Sequence, residues 1–272
     1  MENLLSKYSL LTAKISEMKR VIVAYSGGVD STLLLKAAYD CLGEENVLAV
    51  TEASPLISNN DIETAIAMAK EIGVPHRIIQ ANELDVEEII SNPPNRCYYC
   101  KLHTFSLLIE LAHEEGFNSI LEGTNYSDLK DYRPGMDAVQ SLEMVKSPLL
   151  DCKLEKEEIR ILAKDLQLAN WNQPSAACLA SRIPYGDRIS LEKLTSIAEA
   201  EARLHRLGIS NVRVRHHGPI ARVEVSREDF ALVLNPDFLN LMSREVKACG
   251  FIYVTLDVDG YNTGSLNKCL PR

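Results

Sequence analysis

The chain has 272 residues, 46% of them hydrophobic, and carries a formal net charge of −9 with an isoelectric point of about 5.3. This length allows one large domain or two smaller ones, each with a core. The acidic balance argues against sequence-independent nucleic-acid binding, which requires a basic surface. Because we see neither an apolar run of about 18 residues nor a signal-peptide pattern, we expect a cytoplasmic protein without a membrane partner.

Strands and helices alternate along the first half of the chain. Apolar spacing and helix-ending glycines predict helices over 4–18, 31–42, 60–72, 97–115 and 155–166, and strands over 21–25, 47–51, 76–80 and 119–122. Strands that alternate with helices of about 10 to 15 residues indicate a doubly wound parallel sheet. We therefore expect an α/β fold.

The pattern changes in the second half. Residues 170–186 are rich in proline, small and polar residues, which is typical of a loop or linker. Beyond them we predict helices over 191–207, 228–233 and 239–249, and strands over 212–216, 221–225 and 251–256. The first two of these strands flank H-G-P, which indicates a hairpin. This predicts a small α+β unit with antiparallel strands, and two domains over 1–175 and 176–272.

The stretch Ser26-Gly27-Gly28-Val29-Asp30-Ser31 directly follows the apolar run V-I-V-A-Y. Ligands of open parallel sheets bind at the carboxyl ends of the strands. The glycines let backbone approach a ligand, while the serine hydroxyls and the N–H groups of the next helix favour an anion. An acid such as Asp30 fits a phosphate site if it helps to hold Mg²⁺. A glycine turn without a ligand is the alternative.

Three further segments narrow the function. They are R-C-Y-Y-C-K over 96–101, D-Y-R-P-G over 131–135, and W-N-Q-P-S-A-A-C-L-A-S-R-I-P-Y-G over 171–186, with N-V-R-V-R-H-H following at 211–217. S-G-G-x-D-S resembles the pyrophosphate-loop (PP-loop) signature of the ATP pyrophosphatases, the adenine nucleotide alpha hydrolase superfamily. Together, from about residue 17 to residue 267, the chain closely resembles the LarE family. These sulfurtransferases help to build the nickel-pincer cofactor of lactate racemase.

The resemblance implies an ATP-dependent transferase with a PP-loop fold. ATP and Mg²⁺ would bind at the PP-loop, whose predicted nucleotide contacts are Ser26, Gly27, Gly28, Asp30 and Ser31. The enzyme would adenylate a carboxylate of the small molecule pyridinium-3,5-biscarboxylic acid mononucleotide and release pyrophosphate. An enzyme-held sulfur would then expel AMP and leave a thiocarboxylate, and a second round would convert the other carboxylate. Family members are homo-oligomers, with hexamers known, so we expect a homo-oligomer that binds no nucleic acid.

A substrate with a phosphate and two carboxylates needs cations. Arg182, Arg213 and Arg215 supply planar guanidinium groups that suit such oxygens, and the last two alternate along one strand. Lys101 follows the C-x-x-C pair and is predicted to offset charge on the adenylate. The remaining predicted substrate contacts, partly from acidic positions of the family's active site, are Ser181, Glu201 and Glu224. Solvated surface positions are the alternative for the arginines, the lysine and the glutamates.

The sulfur source depends on the cysteines. In a reducing compartment we expect no structural disulfides. Better-known family members lose the sulfur of one cysteine in the segment after W-N, which leaves dehydroalanine. Cys178 lies in this segment, one position later than that cysteine in an ungapped comparison. Cys97 and Cys100 can present two thiolates to one metal. Some relatives with this trio are iron–sulfur enzymes, so we predict that the three cysteines hold a [4Fe–4S] cluster that delivers sulfide.

Other interpretations remain open at this point. The C-x-x-C pair also fits a redox pair, two core cysteines, or half of a zinc site completed by His103 or Cys152. Cys178 alone would act as a sacrificial sulfur donor. The whole chain could be another adenylating enzyme, such as a tRNA thiolase or a glutamine-using synthetase, or a non-enzymatic nucleotide-sensing or iron–sulfur scaffold protein. Pyrophosphate release on addition of the pyridinium substrate separates these classes.

Overall fold

The computed structural model describes residues 2–174, 177–262 and 264–269. The helices are α1 (Glu2–Ser16), α2 (Val29–Leu42), α3 (Asn59–Ile72), α4 (Glu87–Ile90), α5 (Arg96–Glu115), α6 (Gly135–Gln140), α7 (Pro148–Asp151), α8 (Lys156–Asp165), α9 (Leu191–Arg206), α10 (Phe230–Val233) and α11 (Pro236–Lys247). The strands are β1 (Val21–Ala24), β2 (Val47–Ala53), β3 (His76–Gln80), β4 (Ser119–Leu121), β5 (Val145–Lys146), β6 (Val212–His217), β7 (Ile220–Val225) and β8 (Tyr253–Leu256). Short 3-10 helices include Tyr126–Lys130 and Leu179–Arg182.

The chain divides into two compact units. One consists of residues 1–83 and 95–176, and the other of residues 84–94 and 177–272. Asn92 ties the short segment 84–94 into the second unit, because its amide donates to the carbonyl oxygens of Pro184 at 2.7 Å and Asp187 at 3.1 Å. The division into domains 1–175 and 176–272 stays a prediction, and the compact units differ from it in this segment.

The first unit is built on a five-stranded parallel sheet in the order β3-β2-β1-β4-β5. The central strand β1 is apolar throughout and its first three residues are fully buried, as expected for a strand covered by helices on both faces. The doubly wound α/β prediction is confirmed. Strand order reverses between β1 and β4, which makes the carboxyl edge there the expected ligand site of such a sheet. The two-residue strand β5 is too short to leave a periodic signal and was missed by the sequence analysis.

The second unit holds the smaller sheet, in the order β6-β7-β8. β6 and β7 form the predicted hairpin, which turns at Gly218 with φ +59°. The expectation of antiparallel strands is wrong for β8, which pairs parallel to β7. A parallel neighbour requires a crossover, and α10 and α11 supply it. The core under this sheet contains Leu204 from α9 and Val246 from α11, which are both fully buried.

Candidate active site

The PP-loop, residues 26–31, connects the end of β1 to the start of α2. Gly27 has φ +74°, and a Cβ there would lie 2.9 Å from the Cα of Ala65 in α3. A side chain is therefore excluded both by backbone conformation and by space. The loop thus lies at the switch point of the sheet with its backbone close to α3.

Hydroxyl groups hold the PP-loop in shape. Ser26 Oγ lies 3.1 Å from Ser31 Oγ, which in turn donates to the carbonyl oxygen of Gly28 at 3.1 Å. Gly28 occupies the N-cap of α2 and has no side chain to satisfy the N–H groups of the first turn. Those groups and the helix dipole suit a phosphate anion. The five predicted nucleotide contacts therefore lie together at one helix start, and their role as ligands stays a prediction.

Asn170 braces the PP-loop from a segment that the sequence analysis treated as a linker. Its Nδ2 donates to the carbonyl oxygen of Gly27 and to Thr32 Oγ1, both at 2.8 Å, and its Oδ1 is buried without a hydrogen-bond partner among the described residues. A lone asparagine about 140 positions from the loop gives no pattern in the sequence. A second missed contact is Gly123, where a Cβ would lie 3.2 Å from the backbone nitrogen of Ser31.

We expect Asn170→Ala to weaken ATP binding about three- to tenfold and to lower the free energy of unfolding by about 1 to 3 kcal/mol, because two buried acceptors lose their donor. ATP titration and urea unfolding measure the two effects. Asn172→Ala is the control, since Asn172 is exposed. Equal effects of the two substitutions would contradict a bracing role for Asn170.

A cavity of about 130 Å³ opens beside the PP-loop in the first unit. Its apolar wall suits a flat ring and consists of Val50, Ile57, Ile62, Ile79, Phe105 and Leu108. Its polar lining includes Ser26, Glu52 and Lys101. The ammonium of Lys101 lies 5.1 Å from the centroid of the Phe105 ring, within cation–π range. The structure therefore places the predicted catalytic lysine in the same cavity as the start of the PP-loop.

Glu52 adds a carboxyl group to this cavity that the sequence analysis did not identify. Thr104 Oγ1 donates to its Oε2 at 2.9 Å, and its Oε1 is buried without a hydrogen-bond partner among the described residues. Burial, together with the neighbouring Glu83, which is only 3% exposed, raises the pKa of Glu52 to about 8. Glu52 is therefore largely protonated at neutral pH and adds little negative charge to the cavity that Lys101 also lines.

The raised pKa of Glu52 predicts a pH-dependent stability. Between about pH 4.5 and pH 8 the folded state keeps a proton that the unfolded state has released, so the free energy of unfolding falls as pH rises. We expect Glu52→Gln to flatten this slope and to stabilise the protein most at pH 8. Urea unfolding at pH 5, 6.5 and 8 measures it, with Glu63→Gln on the exposed face of α3 as the control. An unchanged slope in Glu52→Gln would contradict the assignment.

Asp30 lies at the first turn of α2 beside Lys156, the first residue of α8. Lys156 Nζ donates to Asp30 Oδ2 in a short contact, whereas Asp30 Oδ1 is buried without a hydrogen-bond partner among the described residues. Burial raises the pKa of Asp30, and the charge of Lys156 opposes this shift. A carboxylate with an unused oxygen beside a phosphate site fits a Mg²⁺ ligand.

The C-x-x-C pair begins α5, and the D-Y-R-P-G segment packs against it. Cys97 and Cys100 are half-buried in the first turn, and Arg96 Nη2 lies 4.0 Å from Cys97 Sγ. A Cβ on Gly135 would come within 3.0 Å of Lys101 Cγ and 3.2 Å of the Cys97 carbonyl oxygen, so this glycine is required for the close approach. Within residues 2–174, 177–262 and 264–269, no group of three or more His, Cys, Asp or Glu side chains is arranged to hold a metal ion.

Arg182 is the centre of a buried cluster in the second unit. Its Nε and Nη2 donate to the two carboxylate oxygens of Glu201, both at 2.9 Å. Its Nη1 donates to the carbonyl oxygens of Ala177 at 2.6 Å and Cys178 at 3.0 Å, and to Ser181 Oγ at 3.0 Å. The side chain therefore holds the backbone that carries Cys178, whose thiol is half-buried.

The other two predicted arginines project from β6 into the same cluster. Arg215 Nη2 donates to Glu224 at 2.7 Å, and its Nη1 donates to the Ser181 carbonyl oxygen at 3.0 Å. Burial lowers the pKa of Arg213, and the positive charges of Arg182 and Arg215 lower it further. The solvated-surface alternative is wrong for this set, because every member among Arg182, Arg213, Arg215, Glu201 and Glu224 is buried. Substrate binding by the set stays a prediction.

The fold and the PP-loop define an ATP-using α/β protein, and residues 6–93 match the NAD synthase family. An uncharacterized protein of Synechocystis is 40% identical over 98% of this chain and 99% of its own length. The pyridinium-3,5-bisthiocarboxylic acid mononucleotide synthase of Lactiplantibacillus plantarum is 36% identical over 100% of this chain and 98% of its own length. An uncharacterized protein of Methanocaldococcus jannaschii is 31% identical over 90% of this chain and 92% of its own length. The chain belongs to the LarE family.

Family membership makes the chain an ATP-using enzyme and confirms the resemblance on which the sequence analysis relied. Among the helices of the described residues, none combines the length and apolar character needed to cross a membrane.

Proposed function

We propose that this chain is an adenylating sulfurtransferase that converts the two carboxylates of pyridinium-3,5-biscarboxylic acid mononucleotide into thiocarboxylates. The observation that carries this proposal is the similarity over nearly full length to a protein named as the synthase of the bisthiocarboxylic product. A PP-loop whose glycine and serine geometry suits ATP phosphates supports it. The product would serve the nickel-pincer cofactor and the maturation of lactate racemase.

The first step of the proposed reaction uses the first unit. A carboxylate oxygen of the substrate attacks the α-phosphorus of ATP, the bond from that phosphorus to the bridging oxygen breaks, and pyrophosphate leaves. The N–H groups of the PP-loop hold phosphate oxygens, and Asp30 is the residue that would hold Mg²⁺, which supplies charge neutralisation when bound. Lys101 lines the same cavity as Glu52 and compensates the phosphate of the adenylate.

The second step needs a sulfur nucleophile that attacks the acyl carbon and expels AMP. We propose that Cys97, Cys100 and Cys178 are the residues that would hold a [4Fe–4S] cluster, which would supply the sulfide when bound. This part rests on the cysteine pattern, since no three-ligand metal group is arranged among the described residues. The alternative donor is Cys178 itself, which would become dehydroalanine.

The arginine cluster supports the choice of substrate. Three buried guanidinium groups, from Arg182, Arg213 and Arg215, accompany two buried carboxylates, from Glu201 and Glu224. The partly exposed Arg222 pairs with both Glu224 and Asp257, so the cluster retains a positive charge. A buried positive charge attracts an anionic ligand more strongly than an exposed one does. The phosphate of a mononucleotide is such a ligand, and we propose that Ser181 and the three arginines bind it.

Pyrophosphate release and product mass test the function. We expect the wild type to release pyrophosphate and to form a thiocarboxylate, seen by mass spectrometry, only with both ATP and the pyridinium substrate. Ser31→Ala is expected to slow release because the loop loses a hydroxyl donor. Pyrophosphate release with tRNA, and none with the pyridinium mononucleotide, would favour a tRNA thiolase and end the proposal.

The sulfur donor is tested on protein purified without oxygen. About four irons per chain, lost in Cys97→Ala, are expected for the cluster. Product formation without iron, and loss of one H₂S from the mass of the chain at Cys178, would show the sacrificial route instead. We also propose a cytoplasmic homo-oligomer, whose mass light scattering measures directly.

A further inference from the structure

Lys156 occupies an unfavourable place for a lysine. It is the first residue of α8, where the positive end of the helix dipole disfavours a cation, and it lies between Glu155 and Glu157. Its backbone N–H donates to Ser127 Oγ at 3.0 Å, which fixes the start of the helix beside the PP-loop. Its ammonium then turns to Asp30 rather than to the neighbouring glutamates. The stability of α8 therefore does not explain the position of this ammonium group.

The partner of Lys156 is incompletely satisfied. Asp30 uses one carboxylate oxygen for Lys156, while the other is buried without a hydrogen-bond partner among the described residues. Asp128 and Arg133, which form an ion pair at 2.8 Å, lie close enough to influence the charge of Asp30. Two cations and two carboxylates thus surround the start of α2. The D-Y-R-P-G segment contributes Arg133, whose side chain is half-exposed.

We propose that Lys156 is a catalytic residue that leaves Asp30 and binds the pyrophosphate part of ATP. This inference rests on the proposed adenylation. As the bond between the α-phosphorus and its bridging oxygen breaks, the electron pair goes to that oxygen, and negative charge grows on the departing pyrophosphate. The ammonium of Lys156 stabilises this charge without a proton transfer. Asp30, released from Lys156, would be the residue that holds Mg²⁺.

Lys156 and Lys101 have separate tasks in this arrangement. Lys101 lines the apolar cavity and lies over the Phe105 ring, next to where the nucleoside part of the ligand fits. Lys156 lies at the start of α2, where the phosphates fit. Loss of Lys156 therefore affects pyrophosphate binding and leaves AMP binding nearly unchanged.

Calorimetric titration of the full chain with magnesium pyrophosphate, and separately with AMP, tests the inference. We expect Lys156→Met to bind pyrophosphate at least about tenfold more weakly and AMP within about twofold of the wild type. We expect kcat for pyrophosphate release to fall about 100-fold, with a smaller change in KM for ATP. Lys156→Arg, which keeps the charge, is expected to recover most of the binding. Lys36→Met is the control, since it removes the 2.6 Å ion pair with Asp40 on α2.

A double substitution separates ligand binding from charge balance. Lys156→Met leaves Asp30 as an unpaired acid that repels pyrophosphate, and this alone would weaken binding. The double variant Asp30→Asn with Lys156→Met removes both charges. It also provides the test if the single variant Lys156→Met does not fold. We expect this double variant to bind pyrophosphate about tenfold more weakly than Asp30→Asn. Equal binding by the two would overturn the inference and leave Lys156 as a partner of Asp30 only.

The outcome for Lys156 is distinguishable from the outcome for the proposed function. If the wild type binds pyrophosphate through Lys156 but releases none with the pyridinium substrate, the proposed substrate is overturned and the role of Lys156 in pyrophosphate binding is supported. If the wild type is active, and Lys156→Met is as active and binds pyrophosphate as strongly, the role of Lys156 is overturned and the proposed function stands.

Discussion

Gly27→Ala will reduce kcat/KM for ATP by at least about 100-fold while the protein still folds. The new Cβ would lie 2.9 Å from Ala65 Cα and 3.0 Å from its backbone nitrogen, and both atoms belong to the rigid helix α3. The PP-loop therefore has to move, and its N–H groups no longer point toward the phosphates. The positive φ of Gly27 adds a cost of about 1 to 3 kcal/mol for any other residue. Pyrophosphate release and ATP titration measure the loss.

Gly73→Ala separates strain from steric exclusion. Gly73 ends α3 with φ +83°, yet among the described residues a Cβ there would meet only the Tyr39 hydroxyl, at 3.8 Å. It carries a similar backbone cost without a clash, so we expect it to lower the melting temperature modestly and to leave kcat/KM within about threefold. If Gly73→Ala impaired ATP use as strongly as Gly27→Ala, lost stability rather than loop geometry would explain both.

The sequence predicted those features that local patterns determine. The buried run V-I-V-A-Y and the following glycines led directly to β1, the PP-loop and α2, because strand, turn and helix are all encoded within 22 residues. Helix bounds differ by a few residues at most for α2, α3 and α5. The parallel pairing of β8 was missed because direction depends on the crossover through α11, which no local pattern reveals.

The missed site residues are those that act over long sequence separations. Lys156 reaches Asp30 across 126 positions, and Asn170 reaches Gly27 across 143. Neither occurs in a spacing that a motif would capture. Glu52 directly follows the predicted strand 47–51 and belongs to no motif, and its pKa is raised by burial and by the neighbouring Glu83. Chemistry set by burial and by distant partners is determined by packing, which a single sequence does not display.

The arginine cluster was also predicted only in part from the sequence. Alternation along a strand correctly predicted that Arg213 and Arg215 share a face, but it did not predict that carboxylates would already face them. The glutamates at 201 and 224 are buried partners, and Glu224 is fully inaccessible to solvent. The bidentate pair with Glu201 holds Arg182 in one orientation, and a single hydrogen bond to Glu224 restrains Arg215. Preorganisation of this kind favours an anionic ligand that enters without rearranging the guanidinium groups.

Arg182→Ala should have the largest effect in the second unit. The substitution leaves the Glu201 carboxylate buried without its bidentate partner, and it frees the carbonyl oxygens of Ala177 and Cys178. Removing one partner of a buried ion pair typically costs about 3 to 5 kcal/mol, and urea unfolding measures this loss. Because Arg182 holds the backbone of Cys178, we further expect thiocarboxylate formation to fall about tenfold more than pyrophosphate release does.

Arg203→Ala is the matched control, because Arg203 lies on the same helix as Glu201 and pairs with Glu245 at 3.0 Å near the surface. Solvent screens such a pair, so Arg203→Ala should lower the free energy of unfolding much less than Arg182→Ala does. Equal losses of thiocarboxylate and pyrophosphate in Arg182→Ala would mean that the side chain acts through substrate binding or through the stability of the unit, and not by positioning Cys178. A loss confined to the thiocarboxylate would assign Arg182 to sulfur transfer and remove it from the proposed substrate contacts, because the adenylation step would then run without it.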